Sequence, residues 1–254
     1  MNLVTAGVTP LPAVRLDSIM RKMMELTPIA PVSLPLLSIR EVLQGSPYFS
    51  DLSKNDLERV EELITKESYE RDAIILNEGD ENQYLYLVSS GAAKVFGTSI
   101  EGKEQILAIS RPGDSFNDVA AFDGGSSASG VQALTPMIVY RLSGRELLAR
   151  SCLYGPLSAN IIVTLGRKVR ELGDLVADLS FRPVTGRLAK ILLGQLSHAG
   201  SVKLTQKDLA AMAGTVREVI ARALKSLESD GVIRIERQRI IVLNQDELER
   251  IAAL

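Results

Sequence analysis

Arg217, Glu218 and Arg222 stand at i, i+1 and i+5 near the start of a segment, 216–229, whose apolar residues recur at helical spacing. An Arg side chain can grip guanine O6 and N7 with two hydrogen bonds, and a Glu can accept from cytosine N4. Such side chains reach base edges when the start of their helix lies in a major groove. The flanking residues supply what would place them there. Thr205 is a natural N-cap with Asp208 in the first turn, so a first helix begins at 206. Leu209, Ala210 and Ala213 face inward, and Gly214 falls at the junction, where a left-handed backbone costs glycine least. On the second helix Val219, Ile220, Ala223, Leu224 and Leu227 form the buried face. Asp230-Gly231 closes it, and 232–235 and 240–243 alternate as two strands around the basic tip Arg237-Gln238-Arg239. Two helices followed by a basic hairpin read as a winged helix-turn-helix.

Charge supports a nucleic-acid face confined to this end. The 254 residues carry a net charge of −2, yet 201–240 hold eight basic residues against five acidic ones. A single cysteine, Cys152, excludes a disulfide framework and a four-cysteine iron–sulfur cluster within one chain. The sequence shows no Gly-rich phosphate loop with a following Lys-Ser/Thr, no metal-ligand cluster and no Ser/His/Asp set that its single histidine, His198, could complete, so an enzyme is not expected. Without an 18-residue apolar run or a leader pattern, no membrane association is expected and the cytoplasm is the default location.

The rest of the chain divides by pattern. Residues 1–37 are Pro-rich, with a short helical patch over 16–26, and read as a loosely held extension. Residues 38–150 open with a short helix at 39–45 and a second helix, capped by Ser53, that runs to about 64. Short apolar runs at 73–76, 84–88, 92–96, 104–109, 129–134 and 137–142 then alternate with turn signals, which indicates a double-sheet jelly roll or barrel. In 151–181, Ile162, Leu165, Val169, Leu172, Val176 and Leu179 alternate at spacings of 3 and 4, a heptad seam predicting a paired helix. Arg182-Pro183 breaks that helix as a hinge, and 182–254 form the winged domain. The fold class expected is α+β: jelly roll, long dimerisation helix, winged helix-turn-helix.

In that order, and in GTVREVIARALKSLESDGVI, GDENQYLYLVSSGAAKVF and PGDSF, the chain resembles the catabolite activator protein/FNR family of bacterial transcription regulators. The resemblance implies a cyclic-nucleotide-binding-like sensor domain, double-stranded DNA as a partner, a homodimer and contact with RNA polymerase. It makes Arg217, Glu218 and Arg222 base readers of a palindromic GTGA-type site. Thr205, Gln206, Thr215, Arg237 and Arg239 would hold phosphates. The sensor cassette departs from the family pattern: Asn117-Asp118 stands where Gly-Glu would be, and Ser127-Ala128 about where Arg-Ser would be. A phosphate there lacks its charged donor, and Asp118 would repel it, so cyclic AMP is not expected. Phe116, Asn117, Asp118, Ser126, Ser127 and Ser129 are the candidate pocket for an unknown small-molecule effector. Haem, held by Cys152 or His198 in a gas-sensing regulator, stays open as an alternative, as does a sensor or scaffold module that acts through protein partners.

Overall fold

The β-branched and aromatic runs between 65 and 143 pair into two antiparallel four-stranded sheets that face each other. In the computed structural model, residues 27–28 (backbone only), 36–150, 155–197, 202–236 and 239–254 are described. Strands β2 (Thr65–Tyr69), β4 (Tyr84–Ser90), β7 (Ser115–Phe116) and β9 (Met137–Ser143) form one sheet in the order β2-β9-β4-β7. Strands β3 (Ile74–Leu76), β5 (Ala93–Thr98), β6 (Glu104–Ser110) and β8 (Gly130–Ala133) form the other as β3-β8-β5-β6. Between them lie Leu76, Tyr86, Val88, Ala93, Phe116, Val131 and Val139. The turn before β5 requires glycine. Gly91 has φ +80°, and a Cβ there would overlap the Pro136 carbonyl and Met137.

Two sheet elements escape the sequence pattern. β2 reads TKESY, mostly polar, because only its pairing with β9 makes it a strand. β7 has two residues and leads straight into α3 (Asp118–Asp123). α4 (Gly144–Arg150) follows β9.

Helices α1 (Ile39–Gly45) and α2 (Lys54–Glu61) are set by their caps: Ser38 and Ser53 each accept from the backbone N–H three residues on. The second ends sooner than its apolar pattern suggests. With Tyr48 and Phe49 these helices close the outer face of the β2 sheet, over Leu85, Leu87 and Leu142. The long helix α5 (Leu157–Phe181) docks its first two turns there through Leu157 and Ile161.

α5 stops at Arg182, where Pro183 cannot continue it. The bend is clamped rather than loose. Asp178 pairs with Arg182 at 2.8 Å and with Lys190 of α6 (Val184–Ser197) at 2.5 Å. Arg187 Nη1 donates to the carbonyls of Asp178, Leu179 and Arg182. Burial raises the Asp178 carboxyl, but these cations outweigh it and hold the group below its ordinary value.

The C-terminal core joins α6, α7 (Gln206–Met212), α8 (Arg217–Ser229) and α9 (Gln245–Ala253) with the hairpin β10 (Ile233–Glu236) and β11 (Arg239–Val242). The backbone of β1 (Thr27–Pro28) pairs with β11 as a third strand, so part of the expected loose extension meets the wing. The predicted helical patch at 16–26 lies outside the described residues. The two halves touch: Ala92, Ile106 and Ile109 of the roll pack on Val202 and Ala211. Arg111 donates to Gln195 at 3.1 Å and Gln105 to the Met212 carbonyl at 3.3 Å.

Candidate nucleic-acid interface and ligand cavity

The start of α8 is presented by two short-range devices. Thr205 and Asp208 form a reciprocal capping box at α7, with the Thr205 N–H donating to Asp208 Oδ2 at 2.8 Å. Gly214, with φ +63°, then turns the chain, and a Cβ there would come within 2.5 Å of Leu179. Thr215 N–H donates to the Ala210 carbonyl, which closes the turn. Ile220, Ala223, Leu224 and Leu227 are buried, so the opposite side of α8 must face solvent. Arg217, Glu218 and Arg222 are all exposed there, and no other side chain among the described residues engages them.

A groove of about 490 Å³ runs between α7, α8 and the wing. It brings together Thr205, Gln206 and Arg217 from the predicted set and adds Lys203 and Lys207, which the motif did not single out. Thr215, Glu218, Arg222 and Arg239 lie outside it. The Thr205 hydroxyl both accepts from the Asp208 N–H and donates to its carboxylate, so the cap already occupies it. The wing is braced from α8, whose Glu228 accepts the Ile235 N–H at 2.8 Å. Arg239 is exposed on β11, opposite Glu236, whereas Arg237 lies outside the described residues.

A second cavity, of about 240 Å³, opens between the roll and α5. Of the predicted pocket residues, Phe116, Asn117, Asp118 and Ser129 line it. Ser126 and Ser127 do not: Ser126 is exposed, and Ser127 is buried in the loop, its backbone bonded to Gly79 and Asp80. The Asn117-Asp118 pair also behaves differently from expectation. Asn117 has φ +62°, a conformation Asn tolerates better than most residues, and its amide donates to the carbonyls of Asn82 and Tyr84. Asp118 is 5% exposed, but it is not a bare repelling carboxylate. Lys168 of α5 sits 2.5 Å from its Oδ2, and the Tyr48 and Ser115 hydroxyls donate to its Oδ1 at 2.5 and 2.6 Å. Burial, then the Asp118 charge, push the Tyr48 phenol far above its ordinary value, so it stays a donor. Lys168 and Tyr48 lie 50 and 70 residues from Asp118 in the chain, and no local signal marks them. Cys152 and His198 lie outside the described residues, so the haem alternative gains no geometry.

The predicted seam on α5 is half open. Ile162, Val169 and Val176 are 72%, 68% and 62% exposed. Leu165 instead packs on the roll core, Leu179 meets Gly214, and Leu172, though half exposed, lines the cavity. The column that shares the open face with Ile162, Val169 and Val176 is Ala159, Gly166, Gly173 and Ser180. Both columns satisfy the 3–4 spacing. The leucines are the more apolar choice, but the chain's own roll claims them.

The family descriptions that match are a cyclic nucleotide-binding domain over residues 66–150 and a Crp-like helix-turn-helix domain over 186–251. The cyclic AMP receptor protein of Thermus thermophilus is 32% identical over 214 residues, spanning 83% of this chain and 98% of that one. The chain belongs to the Crp/Fnr family of transcription regulators. Another member, the CRP-like cAMP-activated global transcriptional regulator of Mycobacterium tuberculosis, is 25% identical over 219 residues, with coverage of 83% and 98%. FixK2 from Bradyrhizobium japonicum shares the fold, with a TM-score of 0.68 at 23% identity over 75% of this chain and 98% of that one. Within this Crp/Fnr frame the roll is the cyclic-nucleotide-binding-type domain and α7–α8 the helix-turn-helix. No helix among the described residues is long and apolar enough to cross a membrane.

Proposed function

We propose that this Crp/Fnr member is a cytoplasmic homodimer that binds a palindromic GTGA-type DNA site through Arg217, Glu218 and Arg222 and works with RNA polymerase. The observation that carries the reading is the exposure of those three side chains at the start of α8, free of other side chains. Lys203, Lys207, Gln206 and Arg239 flank them as phosphate contacts. The second copy covers the open face of α5. Each apolar side chain there forgoes about 1.5–3 kcal/mol in water, and the small column allows close approach of two helices. Cyclic AMP, named for the relatives, is not the effector in this reading. Among the described residues, the one cationic side chain on the cavity wall is Lys168, which is already bound to Asp118, and Glu171 adds a second carboxylate. A cyclic phosphate would find no unpaired cation there among the described residues.

A mobility-shift titration with inverted GTGA half-sites about one helical turn, ~34 Å, apart tests the DNA reading. Specific retardation that weakens steeply with salt is expected; equal binding to a scrambled site overturns it. Sedimentation tests the dimer, with Val169→Glu expected to run as a monomer.

A further inference from the structure

The cavity has a chemical character that its family frame does not supply. Val95, Leu107, Phe116, Val119, Val131 and Leu172 make its wall largely apolar. Its charges are Lys168 against Asp118 and Glu171, a net negative lining. Asp118 is neutralised within the bridge, so no buried free carboxylate calls for a cation, and an entering anion would have to compete for Lys168. Two hydroxyls are left over. Ser110 of β6 and Ser129 both line the cavity with no side-chain hydrogen bond among the described residues, and of the two Ser110, 4% exposed, is the buried one. A buried hydroxyl facing such a space is a handle for a single hydrogen bond. Size sets the rest. An apolar cavity of about 150 Å³ accepts benzene, so the 240 Å³ here would leave one ring loose.

We propose that the cavity binds a neutral, flat, largely apolar molecule of about two fused rings bearing one hydroxyl, with that hydroxyl on Ser110. The proposal rests on the regulator reading above and names its effector class. Lys168, Glu171 and Leu172 come from α5, so the occupant touches the dimer helix directly and signals without a charge of its own.

Calorimetric titration of the full-length protein with 1-naphthol, and with 1-naphthoate as its anionic isostere, tests this. One 1-naphthol per chain is expected, with 1-naphthoate at least tenfold weaker. Ala128→Trp, at an exposed position on the cavity wall, should weaken 1-naphthol at least tenfold. Ser110→Ala should weaken it about fivefold by loss of one hydrogen bond, while leaving naphthalene unchanged. The proposal is overturned by 1-naphthoate binding as tightly as 1-naphthol, by no 1-naphthol binding up to its solubility, or by unchanged binding to Ala128→Trp. If Ala128→Trp does not fold, Val119→Trp, half exposed on α3, replaces it with the same outcomes. Protein that retards inverted GTGA DNA yet ignores 1-naphthol overturns the ligand alone. Protein that binds 1-naphthol but no DNA overturns the regulator reading alone.

Discussion

In the winged half, the groups proposed to face DNA lie within six consecutive residues on one helix, and each is exposed with no side-chain partner among the described residues. In the roll half, the polar groups around Asp118 come from α5, β7 and the segment after α1, and each is bound to another. The two sites are therefore held by opposite means. The start of α8 is positioned by caps and a tight turn within its own stretch of chain, so its exposed side chains are left free for a ligand. The Lys168 and Asp118 charges of the cavity are consumed in holding the fold, so the proposed recognition there rests on shape, apolar surface and the Ser110 hydroxyl. Within one chain, a surface of free charged side chains and a largely apolar pocket with its Lys168 and Asp118 charges paired thus offer different chemistry.

Substitutions sharpen this contrast. Lys168→Met should produce the largest change in stability, about 3 kcal/mol by chemical denaturation, because it strands the buried Asp118 charge. Pairing it with Asp118→Asn should recover much of that loss; an additive double variant would show that the bridge is not the cause. Arg217→Ala should do the reverse. Its DNA affinity should fall by about 2 kcal/mol, roughly thirtyfold, as a bidentate base contact is lost, while its unfolding midpoint stays within error because the side chain is exposed. A wild-type affinity for GTGA DNA would remove Arg217 from the readers. Thr205→Ala should cost about 1 kcal/mol of stability through the lost cap. If salt-dependence slopes show that it also lowers the number of phosphate contacts, the hydroxyl does more than cap.

The smallest effect concerns the clamp between the halves. The folded Asp178 carboxyl is held below its ordinary value, so it contributes stability above the unfolded value that is lost as pH falls through the folded one. Thermal melts of wild type and Asp178→Asn should differ most near neutral pH and converge on acidification past the usual carboxylate range. A gap that does not depend on pH would show that the Lys190 and Arg182 pairs contribute nothing.

The winged half was legible because its signals are local: Thr205 and Asp208, Gly214, and the apolar spacing of α8 act over a few residues. The roll was legible as alternating runs, except at β2 and β7, whose identity depends on partners. The α5 seam was legible in period but not in phase. Leu165 and Leu179 fit the heptad, yet they turn toward the chain's own body, and Gly166 and Gly173 take the open face.

The cassette shows the same division residue by residue. Sequence alone determined that Arg217, Glu218 and Arg222 share one solvent face, because helical periodicity fixes which residues lie opposite the apolar stripe. It also determined that no arginine follows Arg111 before Arg141. Only the tertiary structure decided that Asp118 is paired and that Lys168 and the buried Ser110 line the cavity. Those outcomes depend on contacts between residues 50 or more apart in the chain, where chain connectivity imposes no spacing and packing alone selects neighbours.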